Sequence, residues 1–323
     1  VLRWRGLDDI PADWGRCVVT IGVFDGVHRG HAELIHAATK AAKEHGVPSV
    51  LMTFDPHPSE VVRPGSHPPQ LTTLTRRAEL AEELGIDVFC VMPFTPELAA
   101  RSPKDFAHDI LVETLHAADV VVGDNFTFGR KAAGDVAKLT ELGAKFGFEV
   151  QAISLFGEHA VTYSSTYIRS CVAAGDMDRA AEALGRPHRV EGVVVRGDGR
   201  GRDLGYPTAN VAPPMYAAIP ADGVYAAWFT ILGVGPAVGE VVPGERYQAA
   251  VSVGTNPTFS GRTRTVEAFV LDKNADLYGQ HVAVDFVHRI RGMVQFDGID
   301  ALIDEMGNDV AKTREILAAA ETS

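Results

Sequence analysis

Two histidines three residues apart, His28 and His31, stand in the segment Phe24-Asp25-Gly26-Val27-His28-Arg29-Gly30-His31. Imidazole can donate a hydrogen bond or a proton near neutral pH. At this spacing both rings can face one bound group once a helix has begun. The segment follows an apolar run of strand length, residues 17–23. It precedes a helix-like stretch, residues 31–45, in which Leu34, Ile35, Ala38, Ala41 and Ala42 recur at spacings of three and four. A helix start presents N–H groups and positive partial charge, so it attracts phosphate. Gly30 lets backbone and ligand approach closely. The chemistry indicated is stabilisation of charge on a phosphoryl group and its leaving oxygen. A catalytic zinc site fits worse, because HExxH is absent and no third ligand stands at a usual spacing. Ordinary surface histidines are the plainer reading, and the preceding strand together with Gly30 weighs against it.

Further blocks carry groups of the same kind. Tyr163-Ser164-Ser165-Thr166-Tyr167-Ile168-Arg169 sets hydroxyls at a helix start with Arg169 in the first turn, a set able to hold a triphosphate. On its own, such a run is more simply a helix cap. Thr53-Phe54-Asp55-Pro56-His57-Pro58 and Val122-Gly123-Asp124-Asn125-Phe126-Thr127-Phe128-Gly129 each end a strand-like run. In a doubly wound sheet, ligands sit outside the carboxyl ends of the strands. Later, Gly199, Arg200 and Arg202 form a flexible basic loop. It lacks the spacing and the following helix of a dinucleotide fingerprint, and its arginines are possible phosphate partners. Thr208 and Asn210, in Pro207-Thr208-Ala209-Asn210, offer hard oxygens suited to Mg²⁺ or to orienting phosphates.

The HxGH of His28 to His31 resembles the nucleotidyltransferase superfamily, and the block from Ser164 to Arg169 looks like that family's ISSTxxR motif. With the blocks around Phe54 and Asn125, the first part resembles the FMN adenylyltransferase module of bacterial FAD synthetases. Gly199 to Asn210, Ser252 to Phe259 and Thr265-Val266-Glu267-Ala268-Phe269 resemble riboflavin kinase. From about residue 18 to about 313 the chain is similar to the bifunctional riboflavin kinase/FAD synthetase family.

The resemblance implies ATP-dependent phosphorylation of riboflavin to FMN, then adenylylation of FMN to FAD with release of pyrophosphate. Riboflavin, FMN and ATP are then the small-molecule partners, FMN and FAD appear as substrate and product, and Mg²⁺ accompanies ATP. It implies His28, His31 and Glu267 as catalytic, Glu267 taking the proton of the ribityl 5′-hydroxyl. ATP and phosphates fall to Gly22, Phe24, Asp25, Gly26, Gly30, Ser164, Ser165, Thr166 and Arg169, and in the second part to Gly199, Arg200, Arg202, Thr208 and Asn210. The metal falls to Thr208 and Asn210, and the flavin ring to Phe54, Pro56, His57, Asn125, Phe126 and Phe128. Many members carry Arg two positions before the first Ser of the ISST block, where this chain has Thr162.

These residues need elements to position them. Strand-like runs at 17–23, 49–54, 87–92, 119–122 and 149–155 are mostly apolar without strict alternation, and helix-like stretches at 75–84, 103–116 and 135–146 separate the later ones. That pattern predicts an α/β domain with a doubly wound parallel sheet covered on both faces. A short helical pair follows at 166–174 and 177–184. Beyond Pro187 come short β-rich segments with Gly/Pro turns, then one helix at 299–320. This predicts a small antiparallel β-barrel with a terminal helix. The expected domains are residues 1–186 and 187–323.

Composition sets outer limits. With 46 % hydrophobic residues in 323, the chain can bury real cores without disulfides. A formal charge of −12, with neither part basic, argues against a nucleic-acid partner. The uncharged stretch 223–239 is too short and too rich in glycine for a membrane span. Cys17, Cys90 and Cys171 form no CxxC pair and read as reduced thiols of a cytoplasmic protein. Two rivals remain: a non-catalytic flavin-binding regulator, and a nucleotidyltransferase for another phosphate acceptor.

Overall fold

A computed structural model describes every residue except 155–156, 159–160, 198–204, 259–260 and 322–323. The chain forms two compact units, Val1–Pro68 with Thr72–Ser164, and Pro69–Leu71 with Ser165–Ser323.

The first unit runs β1 (Leu2–Arg5), β2 (Cys17–Ile21), α1 (Arg29–His45), β3 (Ser49–Asp55), α2 (Pro58–Val62), α3 (Leu74–Glu83) and β4 (Val88–Pro93). It continues through α4 (Pro96–Ala100), α5 (Pro103–Asp105), β5 (Ala117–Gly123), α6 (Val136–Phe146) and β6 (Glu149–Ile153), then a ribbon of β7 (Gly157–Glu158) and β8 (Val161–Thr162). Six parallel strands stand in the order β1-β4-β3-β2-β5-β6. The predicted doubly wound sheet is present.

Its two faces explain the mostly apolar runs. Val19, Met52, Val120 and Val122 pack into one core with Leu139 and Phe148. Their immediate neighbours Val18, Leu51 and Val121 pack into another with Leu34, Ile35 and Ala38 of α1. Successive residues point to opposite faces and both faces are covered, so the central strands are apolar at most positions. Strand order leaves β2 toward β3 and β4 on one side and toward β5 and β6 on the other. The carboxyl ends of β2 and β5 therefore flank the switch point where such sheets bind ligands.

Two features depart from the sequence-based elements. The helix expected at 103–116 is α for only its first residues, and Phe106–Val112 widen into a π-helix. This wider turn buries Phe106, Ala107, Ile110 and Leu111 together. Strand β1 was not expected; it is a short edge strand with Trp4 as its one buried residue.

The second unit begins with α7 (Ser165–Ala174) and α8 (Met177–Leu184), followed by β9 (His188–Val195), β10 (Ala209–Ala212), β11 (Gly223–Ile231) and β12 (Tyr247–Thr258). β13 (Gly261–Val270), β14 (His281–Arg291) and α9 (Ile299–Glu321) complete it. The strands close an antiparallel barrel in the order β10-β13-β12-β11-β14-β9. Helix α8 buries Met177, Ala180, Ala183 and Leu184 and packs on β9 and β14. This compact unit therefore starts before the change of composition at Pro187. Leu317 of α9 packs on Ala226 and Trp228 of β11, and Arg291 ends β14 in an ion pair with Asp309 of α9 at 2.7 Å.

Candidate active sites

The turn from β2 into α1 is set by its backbone. Phe24, Gly26 and Val27 have φ of 51°, 88° and 38°. Gly26 accepts such a value freely. For Phe24 and the β-branched Val27 it is strained, costing about 1–3 kcal/mol each, and it persists only where surrounding groups dictate it. Thr72 and Arg77 supply them. The Gly26 N–H donates to Thr72 Oγ1 at 2.9 Å, and the Asp25 carboxylate accepts from the Thr72 N–H at 3.1 Å and from Arg77 at 3.4 Å. Asp25, 2 % exposed, thus turns inward, away from any ligand outside the turn.

His28 is the residue that starts α1. Its ring Nδ1 accepts the His31 backbone N–H at 3.3 Å, which satisfies one of the N–H groups that a helix start leaves unpaired. A neutral ring accepting at Nδ1 carries its proton on Nε2, so the N-cap bond also selects the tautomer. The His28 and His31 rings stack with centroids 3.6 Å apart and planes at 21°. Phe24 stands behind His31 at 5.1 Å. A Cβ on Gly30 would come within 3.2 Å of the His28 ring, so this position has room for glycine and little more. No acidic side chain stands in the first turn of α1, which leaves its positive end unopposed.

Beside this turn the first unit opens a cleft of about 980 Å³. Gly22, Phe54, Asn125, Phe126 and Phe128 line it, with Phe94 and Phe106 as further aromatics and Arg63, Arg130 and Lys131 as cations. Phe126 and Phe128 stack at 5.6 Å and 13°, and Phe54 meets Phe94 edge-on at 5.5 Å. A largely apolar wall with five phenylalanines and one amide suits a flat, hydrogen-bonding ring system. Pro56 and His57 stand outside that lining. Pro56 follows a cis peptide bond, and His57 caps α2 by accepting the Ser59 N–H at 3.1 Å. Ser164 ends the first unit, whereas Ser165, Thr166 and Arg169 open α7 in the second. There Arg169 Nε donates to the Pro69 carbonyl at 2.7 Å.

In the barrel, register does the positioning. Glu267 of β13 lies directly opposite Asn210 of β10 on one side and Ser252 of β12 on the other. Directly paired residues of antiparallel strands project to the same face with Cβ atoms about 4.5–5.5 Å apart. Ser252, Glu267 and Asn210 thus form one polar row, while the adjacent Val253, Val266 and Ala268 are buried. Thr208 precedes β10 and lines a second cleft of about 300 Å³ with Pro207, Ala209, Leu277 and Tyr278. A Cβ at Gly197 would overlap the Asn210 carboxamide, so the chain passes directly over it. Gly199, Arg200, Arg202 and Phe259 lie outside the described residues.

Comparison with known proteins follows the same division. A family model for FAD synthetase matches residues 10–167, and one for riboflavin kinase matches residues 184–317. The bifunctional riboflavin kinase/FMN adenylyltransferase of Escherichia coli (strain K12) is 35 % identical over 96 % of this chain and 96 % of that one. This chain belongs to that family. The member from Bacillus subtilis (strain 168) is 33 % identical, covering 93 % of this chain and 92 % of its own. A crystal structure described as a macrolide-efflux protein from Streptococcus pneumoniae is 31 % identical, with TM-score 0.86 over 97 % of this chain and 99 % of that one. Among the described residues here, no helix is long and apolar enough to cross a membrane.

Two side chains next to these family motifs escape a motif-by-motif reading, and a third, Ser252, stands in a quoted block but was given no role there. Thr72 and Arg77 brace the His28 turn from α3 and the residues before it, and Ser252 flanks Glu267. Arg77 did leave a signal. It shares the buried stripe of α3 with Ala78 and Ala81, where a charge needs a partner.

Proposed function

We infer that this chain phosphorylates riboflavin to FMN and adenylylates FMN to FAD, as its relatives are named for doing. One observation supports the reading: two unlike constellations of polar side chains, each suited to phosphoryl transfer, stand in two different compact units. One is a stacked histidine pair at a helix start beside an aromatic cleft, and the other is the row Ser252–Glu267–Asn210 on the barrel. We assign adenylylation to residues 1–186 and phosphorylation to 187–323.

For adenylylation, the isoalloxazine ring of FMN is assigned to the aromatic wall of Phe54, Phe126 and Phe128, with Asn125 for its polar edge. The FMN phosphate attacks the α-phosphorus of ATP, and pyrophosphate leaves. His28 offers Nε2–H, His31 its ring, and α1 its positive end to the charge that develops. Aimed donors of this kind contribute about 3–4 kcal/mol each. Asp25 is proposed to act through the shape of the turn, since its carboxylate faces Thr72 and Arg77. Ser164, Ser165, Thr166 and Arg169 are proposed for the triphosphate.

For phosphorylation, Glu267 removes the proton from the ribityl 5′-hydroxyl as the hydroxyl oxygen attacks the γ-phosphorus of ATP and ADP leaves. Mg²⁺ suits the neighbouring donors: Thr208 and Asn210 give neutral oxygens, and this cation is usually held by few protein groups together with phosphates. When bound there it would neutralise phosphate charge. Asn210, as the cross-strand neighbour of Glu267, would hold a bound cation on the same face of the barrel as the base. Gly199, Arg200 and Arg202 are proposed as phosphate contacts of the same site. The reduced, buried cysteines fit a cytoplasmic enzyme.

The test is chromatography of flavins after incubation with riboflavin, ATP and Mg²⁺. FMN is expected first and FAD later. Riboflavin left unchanged by folded protein, or FMN that never becomes FAD, would contradict one or both assignments.

A further inference from the structure

We propose that Arg77 is a positioning residue for adenylyl transfer, holding the strained turn that aims His28; the proposal rests on the reading of the first unit as the FMN adenylyltransferase. The guanidinium reaches the start and the middle of that turn. Nη1 donates to the Val23 carbonyl at 2.8 Å and lies 3.2 Å from Thr53 Oγ1, while Nη2 reaches Asp25 Oδ1 and the Thr72 carbonyl, each at 3.4 Å. Thr53 Oγ1 itself donates to the Val23 carbonyl at 2.8 Å. Residues 23, 25 and 26 are therefore each gripped from behind, by groups of β3, of α3 and of Thr72.

The need for such a grip is visible in the backbone. Phe24, Gly26 and Val27 all have positive φ, and Phe24 and Val27 would relax to negative values without restraint. Relaxation there would rotate the residue that follows, which is His28. Its ring sits only 3.6 Å from that of His31, and Nδ1 depends on the His31 N–H. The helix start cannot keep both contacts while the turn before it changes shape.

Arg77 is 3 % exposed and Asp25 2 %, and both are engaged with the turn itself, Arg77 with Val23 and Asp25, and Asp25 with the Thr72 N–H. A buried pair of this kind is weak evidence for stability, because desolvation offsets most of the attraction. Its stronger consequence here is geometric. Lysine could keep the charge at position 77 but not a planar fork that meets Val23 and Asp25 at once.

The experiment measures kcat and KM for FAD formation from FMN and ATP in wild type, Arg77→Lys, Thr72→Val and Thr72→Ser. Amide ¹H–¹⁵N spectra of the same samples count the molecules whose first unit is folded, and ring ¹⁵N spectra report the two ring nitrogens of His28. For Arg77→Lys we expect kcat to fall about 10-fold or more, as for a small misplacement of a reacting group, with KM for FMN within about 2-fold. The His28 nitrogen shifts should move as its N-cap bond is lost. Thr72→Val, which lacks the hydroxyl accepting from Gly26, should show the same loss in kcat, and Thr72→Ser should restore it. That pair keeps the test decisive if Arg77→Lys does not fold. A kcat per folded molecule within 2-fold of wild type in both Arg77→Lys and Thr72→Val, with unmoved His28 shifts, would reduce the cluster to a structural role and overturn the proposal. A wild type that makes no FAD would defeat the underlying reading, and is told apart because no substitution is involved.

Discussion

His28 Nδ1 accepts the backbone N–H of His31 at 3.3 Å, while the two rings stack 3.6 Å apart. One histidine thus caps α1 through Nδ1 and is proposed to serve the reaction through Nε2–H.

The two tasks can be separated by substitution. His28→Ala should lower FAD formation by about 10²-fold or more and also cost about 0.5–2 kcal/mol of stability through the lost cap. His28→Ser should recover much of the stability, since serine caps well, and none of the activity. Melting temperature beside the FAD rate checks this, and recovery of both together would show that capping alone matters. FMN formation should be unchanged in either variant.

Gly30→Ala should lower FAD formation about 10-fold by pressing a methyl group on the His28 ring. The protein should nonetheless melt no earlier than wild type by more than a degree or two, because alanine favours helix by about 0.5–1 kcal/mol. Kinetics with a thermal melt tests the split; wild-type FAD turnover would show that the His28 ring has room to spare.

Glu267→Gln should nearly abolish FMN formation, by about 10²–10⁴-fold, and leave FMN adenylylation intact. The substitution preserves size and the place in the row with Asn210 and Ser252. Near-wild-type kinase turnover at unchanged stability would remove Glu267 from catalysis.

A fragment starting at Ser165 should fold and make FMN. One starting at Pro187 should melt lower, because it lacks Met177 and Leu184 of α8, worth about 1.5–3 kcal/mol each when fully buried. Equal melting temperatures would mean that α8 is dispensable to the barrel.

How much of this was legible depends on distance along the chain. His28, Gly30 and His31 are contiguous, so their chemistry and their place between strand and helix can be read together. The sheet was legible because strands buried on both faces are apolar at most positions. Arg77 stands 52 residues from Asp25, and only the fold brings α3 behind the turn. The pairing of Asn210 with Glu267 is likewise a matter of barrel register, and β10, only four residues long, was too short to be read as a strand. That His57 caps α2 was not read from the sequence, because the short helix after it carries too few residues to show a period.

Burial pushes the Cys17 and Cys90 thiols up to about 12. An unfolded thiol titrates near about 8.5. The native state therefore disfavours the thiolate, and the resulting stability is complete below about 8.5 and is lost as pH rises toward 12. Urea midpoints should fall across that window, and less steeply in Cys90→Ala; an identical slope in the variant would rule out this contribution.

The central claim is that one chain performs two different phosphoryl transfers, and the position of label decides it most directly. Wild-type protein is given riboflavin, Mg²⁺ and ATP labelled either at the γ- or at the α-phosphorus, and the flavins are separated. The account predicts γ-label in FMN, and α-label appearing only in FAD. Absence of γ-label from FMN, or of α-label from FAD, in folded protein would contradict it.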